Sequence, residues 1–355
     1  MTILKKIMDV MSINVCEVRT KHTGIQGVIR GGCALQVFLS HALNIYHADW
    51  VEWLNHTPLC FFIDGNCAVV VFFVLSGYFY YKEKVLSVGE YLNGIRKKCL
   101  HIFPAFWLSL IIGFLFCNYY VGLNMMGENL TGWSKAFWVS NVSITELLKS
   151  ASILIPHNWD AINPASWYIQ VEVEMFIIMP IVVSVYNRAR NDGKWYLYLL
   201  WCVLVIGGLL YSRNMLAYLV GASFHKFKPL FDKIAMSKYC LLRIVIAVGL
   251  LNIKNEIPMV RTLPGFGSVV LIIQAIGAAV IISTIIGMDS NRFNKFKLLI
   301  FVGNISYEIY ILHFIVLLIL RPFFSDALLY TLMAFLICLP CSSMVHLYFK
   351  RLCYK

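Results

Sequence analysis

The chain has 355 residues, of which 60% are hydrophobic and only 14% charged. Soluble domains carry about 25% charged residues, so this chain lacks the polar surface to stay in water, and lipid must cover part of it. Its formal net charge of +12 would suggest nucleic acid as a partner in a soluble protein. Here the cations lie between apolar blocks, where they set topology and meet lipid headgroups, and no nucleic-acid partner is expected.

A helix needs about 20 apolar residues to cross a bilayer, fewer when packed among others. Blocks of this kind lie at 25–46, 59–81, 101–121, 167–186, 195–212, 214–224, 239–252, 265–287, 298–320 and 327–349. They predict an all-α, polytopic integral membrane bundle of about ten transmembrane helices. A basic leader at 1–24 precedes a single membrane domain at 25–349, and a short tail follows at 350–355. The first block contains Arg30 and His41, so it reads as a retained span, not a cleaved signal. The long connection 122–166 is polar and aromatic, with Trp133, Trp138 and Trp159, and suits an interfacial or re-entrant segment.

Cations concentrate on one side. Lys5, Lys6, Lys97, Lys98, Arg188, Arg190, Lys228, Lys295 and Lys350 fall on the side of the termini, whereas Lys135, Lys149, Arg213 and Arg321 are among the few on the other. The positive-inside rule then places both termini in the cytoplasm and the 122–166 connection outside. The cysteines sit mostly within apolar runs. Cys338 and Cys341 form a C-x-x-C with no second pair, so neither a metal site nor a disulfide framework is expected.

Ionisable residues at bilayer depth cost about 2.5–3.5 kcal/mol each on insertion scales, so each needs a reason. Arg30 and His41 are three helical turns plus about 20° apart, hence on one face and separated by roughly 16 Å along the axis. In the second span, Ser76-Gly77 offers small residues where another helix can approach. In the fourth, Glu172 and Glu174 follow Trp167 at a spacing that points them to different surroundings. In the ninth, Ser306, Tyr310 and His313 share one face. Together they suggest a polar cavity lined by His41, Glu172 and His313. A histidine beside a carboxylate is a general base, but a proton-coupled transporter or a flippase would use the same residues.

Five segments, in order, resemble the membrane acyltransferase-3 family, which includes O-acetyltransferases of bacterial surface polysaccharides. They are Ile25-Gln26-Gly27 through Arg30 to His41, then Phe72-Phe73-Val74-Leu75-Ser76-Gly77-Tyr78, then Arg96-Lys97-Lys98-Cys99-Leu100-His101-Ile102-Phe103-Pro104. Trp167-Tyr168-Ile169-Gln170-Val171-Glu172 and Gly303-Asn304-Ile305-Ser306-Tyr307-Glu308-Ile309-Tyr310-Ile311-Leu312-His313 complete the set. Lys98 and His101 stand where the family often carries two arginines, and Tyr168 replaces the serine after the tryptophan. The resemblance implies a protein of the bacterial cytoplasmic membrane that transfers an acyl group, acetyl first, from acyl-coenzyme A to a glycan hydroxyl. It implies donor contacts at Arg30, Lys98 and His101, and His41 as base or acyl relay with Glu172 orienting it. Trp167, Ser306, Tyr310 and His313 are substrate or structural candidates. No bound metal or prosthetic group is implied.

Overall fold

The computed structural model describes residues 24–80, 86–125, 127–155, 157–226, 239–256, 266–286 and 295–353. The leader up to residue 23, the loop cations Lys82, Lys84, Lys228, Lys233, Lys238, Arg261 and Arg292, and the last tail residues lie outside these. The described residues are helical, with no β-strand and one isolated bridge between Tyr46 and Leu130. In chain order the helices are α1 Gly24–Leu43, α2 Asp49–Asn55, α3 Gly65–Tyr80, α4 Val88–Gly122, α5 Ile144–Ser152, α6 Trp159–Ile162 and α7 Ser166–Asp192. Then come α8 Trp195–Tyr211, α9 Met215–Lys226, α10 Cys240–Glu256, α11 Phe266–Ile286, α12 Lys297–Asn304, α13 Ser306–Leu320 and α14 Ala327–Cys353.

Each of the ten apolar blocks coincides with a helix, and the ninth is broken at Ile305 between α12 and α13. Among the described residues, five helices are long and apolar enough to span a bilayer by themselves: Val88–Gly122, Ser166–Asp192, Gly267–Ile286, Ser306–Phe323 and Ala327–Lys350. The apolar helices Gly65–Tyr80, Trp195–Tyr211, Met215–Phe224 and Leu241–Ile253 are shorter. Large apolar side chains such as Leu115, Leu199, Leu210, Val245 and Leu336 point outward, as lipid-facing residues do. The protein is thus an all-helical integral membrane protein.

Local sequence explains the ends. Ser87 and Glu90 form a reciprocal capping box at the start of α4, the Ser87 hydroxyl accepting from the Glu90 amide and the Glu90 carboxylate from the Ser87 amide. α7 stops at Gly193, whose φ of 65° is a left-handed conformation that glycine adopts without a Cβ penalty.

Small residues set the central packing. α1 lies against α12 so closely that a Cβ on Gly303 would collide with the backbone of Gly27, and one on Gly31 with the carbonyl of Leu299. α3 meets α9 in the same way at Gly77 and Gly221. Gly27, Gly31, Gly77 and Gly303, from three of the five segments, are therefore explained by helix contact, as the Ser76-Gly77 reading anticipates.

The 127–162 segment folds back along α4. The Asn118 side chain bonds Val142 in both directions, and the Trp107 indole donates to the Ala151 carbonyl at 3.0 Å. Between those contacts the segment descends along eleven residues of α4, roughly 16 Å. α5 and α6 thus sit beside the bundle, and Asn163 anchors their end by donating to the Ile311 carbonyl at 2.9 Å.

Candidate active site

Two polar centres lie along the face of α1 that carries Arg30 and His41. At the Arg30 level, the end of α3, the first half of α4 and the middle of α7 enclose a cavity of about 260 Å³ lined by Arg30, Ser76, Tyr80, Glu90, Tyr91 and Lys98, among others. Glu172 is bonded to three of these lining residues, Ser76, Tyr80 and Lys98. Its carboxylate accepts from the Tyr218 hydroxyl at 2.6 Å, the Tyr80 hydroxyl at 3.0 Å, and Lys98 Nζ and the Ser76 hydroxyl at 3.4 Å each. A buried carboxylate is tolerable only when so satisfied. These bonds fasten α3, α4, α7 and α9 together.

The expected pairing of Glu172 with His41 is not found. α7 begins beside Asn163, which is bonded to α13 near His313, and runs antiparallel to α1. By Glu172 it has reached the level of Ser76 and Lys98, away from the histidines. Motif spacing gives the face of a helix but not its depth against a neighbour. Glu174 points elsewhere, accepting from Gln170 at 2.6 Å and Tyr211 at 2.7 Å.

Lys98 is 42% exposed at its side chain and lies 5.4 Å from the Tyr80 ring centroid. Its ion pair with Glu172 is long and half in solvent, so it binds weakly and leaves the ammonium available. Arg30 Nε is buried without a hydrogen-bond partner. His101 does not line the cavity; it lies on the next turn of α4, its ring 5.6 Å from that of Tyr307. Nearby, Glu308 pairs with His346 at 2.9 Å. Sequence reasoning left that pair out, although Glu308 lies within the fifth segment.

The second centre is a pair of histidines. His41 Nδ1 and His313 Nε2 are 2.8 Å apart. The ring planes differ by 8° and their centroids are 5.1 Å apart, the separation that two imidazoles joined nitrogen to nitrogen require. The rings therefore lie side by side in one plane and are not stacked face to face. His313 Nδ1 is 2.6 Å from the Tyr310 carbonyl and 3.2 Å from that of Ile309. A carbonyl only accepts, so Nδ1 carries the proton and the neutral ring offers a lone pair at Nε2. His41 must then donate from Nδ1, which leaves the lone pair of His41 at Nε2. His313 thus does for His41 what a carboxylate does in a catalytic triad: it fixes the tautomer that can act as base.

Tyr310 and Trp133 border this pair, while Ser306 and Trp167 lie elsewhere. Tyr310 is buried, with its ring 4.5 Å from that of Tyr168 and 5.6 Å from His313. Ser306 is buried at the start of α13. Trp167 is partly buried and meets Phe73 edge-on at 6.4 Å. Trp133 lies beside His41, the ring centroids 5.7 Å apart and the planes differing by 21°.

A family model described as an acyltransferase domain matches residues 27–347. The chain belongs to this acyltransferase family. No curated protein and no solved structure matches it. The matched span includes Arg30, His41, Lys98, Glu172 and His313, so both polar centres lie within the acyltransferase domain. Membership favours group transfer over the transporter reading, which gives no account of the ordered segments.

Proposed function

We propose that this membrane acyltransferase moves an acyl group, acetyl first, from acyl-coenzyme A to a hydroxyl of a cell-surface or lipid-linked glycan. The observation that carries this reading is the free lone pair at His41 Nε2, fixed by His313, on the same helix face as the Arg30 cavity and roughly 16 Å from it. That separation matches a thin thioester arm running from a charged nucleotide at one end to a base at the other.

The residues present fit such a donor. Arg30 and Lys98 supply charge for phosphate, and the unpartnered Arg30 Nε is a donor awaiting an acceptor. The cavity, about 260 Å³, is below the usual range of about 300–1,000 Å³ for whole-ligand pockets, so it suits the arm and its nearest phosphate, with the nucleotide outside. Charge at the loops supports a cytoplasmic Arg30 end in the inner membrane of a bacterium, because a charged nucleotide does not cross lipid.

In the reaction, the acceptor oxygen attacks the thioester carbonyl as His41 Nε2 takes its proton. The C–S bond then breaks, and the proton on Nε2 passes to the departing thiolate, giving an O-acyl ester and free coenzyme A. The positive charge that develops on His41 is shared through Nδ1 with His313 and its carbonyl partners. Direct transfer with His41 as base is the reading the fixed tautomer supports. A covalent acyl relay on the same Nε2 is the second.

The test is transfer of radiolabelled acetyl from acetyl-coenzyme A to membrane glycans by full-length protein in lipid nanodiscs. Activity that His41→Ala removes, with the protein still accumulating, is the expected result. Undiminished labelling by that variant would overturn the assignment.

A further inference from the structure

We propose that Trp133 is the acceptor subsite, a platform on which a pyranose ring of the acceptor glycan stacks so that one of its hydroxyls meets His41 Nε2. The inference rests on the O-acyltransferase reading above and adds the chemistry of acceptor recognition.

Trp133 is held beside the base by a segment that is built, not loose. Tyr46 and Leu130 form a bridge, His47 donates to the Asn129 carbonyl at 3.1 Å, and Thr131 and Ser134 donate to the Ile45 carbonyl at 3.0 and 2.8 Å. On the other flank, the guanidinium of Arg321, 1% exposed, donates to the Ser134 carbonyl at 2.6 Å and the Phe137 carbonyl at 3.3 Å. Arg321 itself is held by the Tyr46 hydroxyl, which donates to its carbonyl at 2.6 Å. Packing and hydrogen bonds thus fix the backbone on both sides of Trp133.

The indole itself remains 41% exposed. It lies nearly parallel to His41, and Phe137 and Phe314 meet it edge-on at 5.0 and 5.6 Å. A tryptophan that anchors a protein at the bilayer surface turns outward to the headgroups. This one lies beside the His41 ring. An open indole face binds best a ligand with a flat apolar face and polar edges. A pyranose has that shape: axial C–H groups on one face and hydroxyls at the rim. Stacked there, its rim hydroxyls point toward the imidazole beside the indole.

Methyl glycosides of glucose, galactose and N-acetylglucosamine are the probes, offered to full-length protein in nanodiscs. Binding is read without turnover by saturation-transfer NMR, and transfer by the acceptor KM with radiolabelled acetyl-coenzyme A. Trp133→Ala should weaken binding and raise the acceptor KM at least tenfold, with a smaller change in kcat. Trp133→Phe should recover most of both, and Trp53→Ala, which removes another exposed tryptophan, should change neither. His41→Ala should keep binding while losing transfer. No binding of any glycoside by the parent, unchanged binding in Trp133→Ala, or equal loss in Trp53→Ala would each overturn the subsite. Should the parent bind glycosides through Trp133 yet transfer no acyl group, the acyltransferase reading fails and the subsite stands. Transfer at an unchanged KM in Trp133→Ala gives the reverse.

Discussion

His313 hands its Nε2 lone pair to His41 Nδ1 across 2.8 Å, and the backbone of α13 decides that it does so. The Tyr310 carbonyl is one turn back on the same helix, where a histidine in an ordinary helical rotamer reaches it. His313 therefore acts as a positioning residue for His41. His313→Ala should lower acyl transfer by about 10–10²-fold with the protein accumulating normally, while His41→Ala should cost about 10²–10⁴-fold. His313→Gln keeps an acceptor near His41 Nδ1 and should fall between His313→Ala and the parent. The check is kcat for each variant with donor and acceptor saturating. Equal losses for His41→Ala and His313→Ala would make His313 a direct participant in the chemistry.

Glu172 belongs to the other centre, and its variants should show it. Glu172→Gln keeps an acceptor for only one of Tyr218 and Tyr80, which bond different oxygens, faces the other hydroxyl with an amide donor, and releases Lys98 from its ion pair. The expected effect is an acyl-coenzyme A KM raised several-fold with little change in the acceptor KM. Glu172→Ala strands the hydroxyls of Ser76, Tyr80 and Tyr218 on two helices, at about 1–3 kcal/mol for each buried group left unsatisfied, and should reduce accumulation. Both KM values from the Gln variant decide the matter: an effect on the acceptor alone would return Glu172 to the neighbourhood of the base.

The two cations of the cavity should separate from His101. Arg30→Ala and Lys98→Ala should each raise the donor KM by about tenfold, the cost of a lost charge-assisted contact of about 1.5 kcal/mol. His101→Ala should do less, since His101 lies outside the cavity against Tyr307. Titration of the initial rate with acetyl-coenzyme A measures each. A larger effect from His101 than from Arg30 would move the donor toward the Glu308–His346 pair.

Helical periodicity made the Arg30–His41 face legible, because both residues lie on one helix and their geometry is local. The same is true of the Ser306–Tyr310–His313 face. The partners of these residues are tertiary facts. Glu172 carries no mark in the sequence of how far α7 descends before reaching it, so its company of Lys98, Tyr80 and Tyr218 was hidden. Arg321 counted only as a loop cation, although it is among the most deeply buried side chains. Its position at the end of an apolar run was the available signal, since a cation there must either reach water or be satisfied by the protein. Gly27 and Gly303 belong to separate segments, and only the contact of α1 with α12 shows why both are glycine.

That contact predicts a packing defect with a chemical consequence. A side chain at Gly303 would push α12 from the Gly27 backbone, and α13 follows α12 after a single residue at Ile305. The displacement would reach the 2.8 Å bond between His41 and His313, which tolerates little movement before it is lost. Gly303→Ala should therefore lower kcat by about tenfold or more even where the protein accumulates, since a misplacement of about 1 Å costs about 10²-fold at a catalytic constellation. Gly32, where an added Cβ meets nothing within 4 Å, is the control, and Gly32→Ala should be neutral. Detergent-extracted yield and kcat, measured side by side, distinguish the outcomes: normal kcat in well-accumulated Gly303→Ala would mean that α12 can shift without moving the histidine pair.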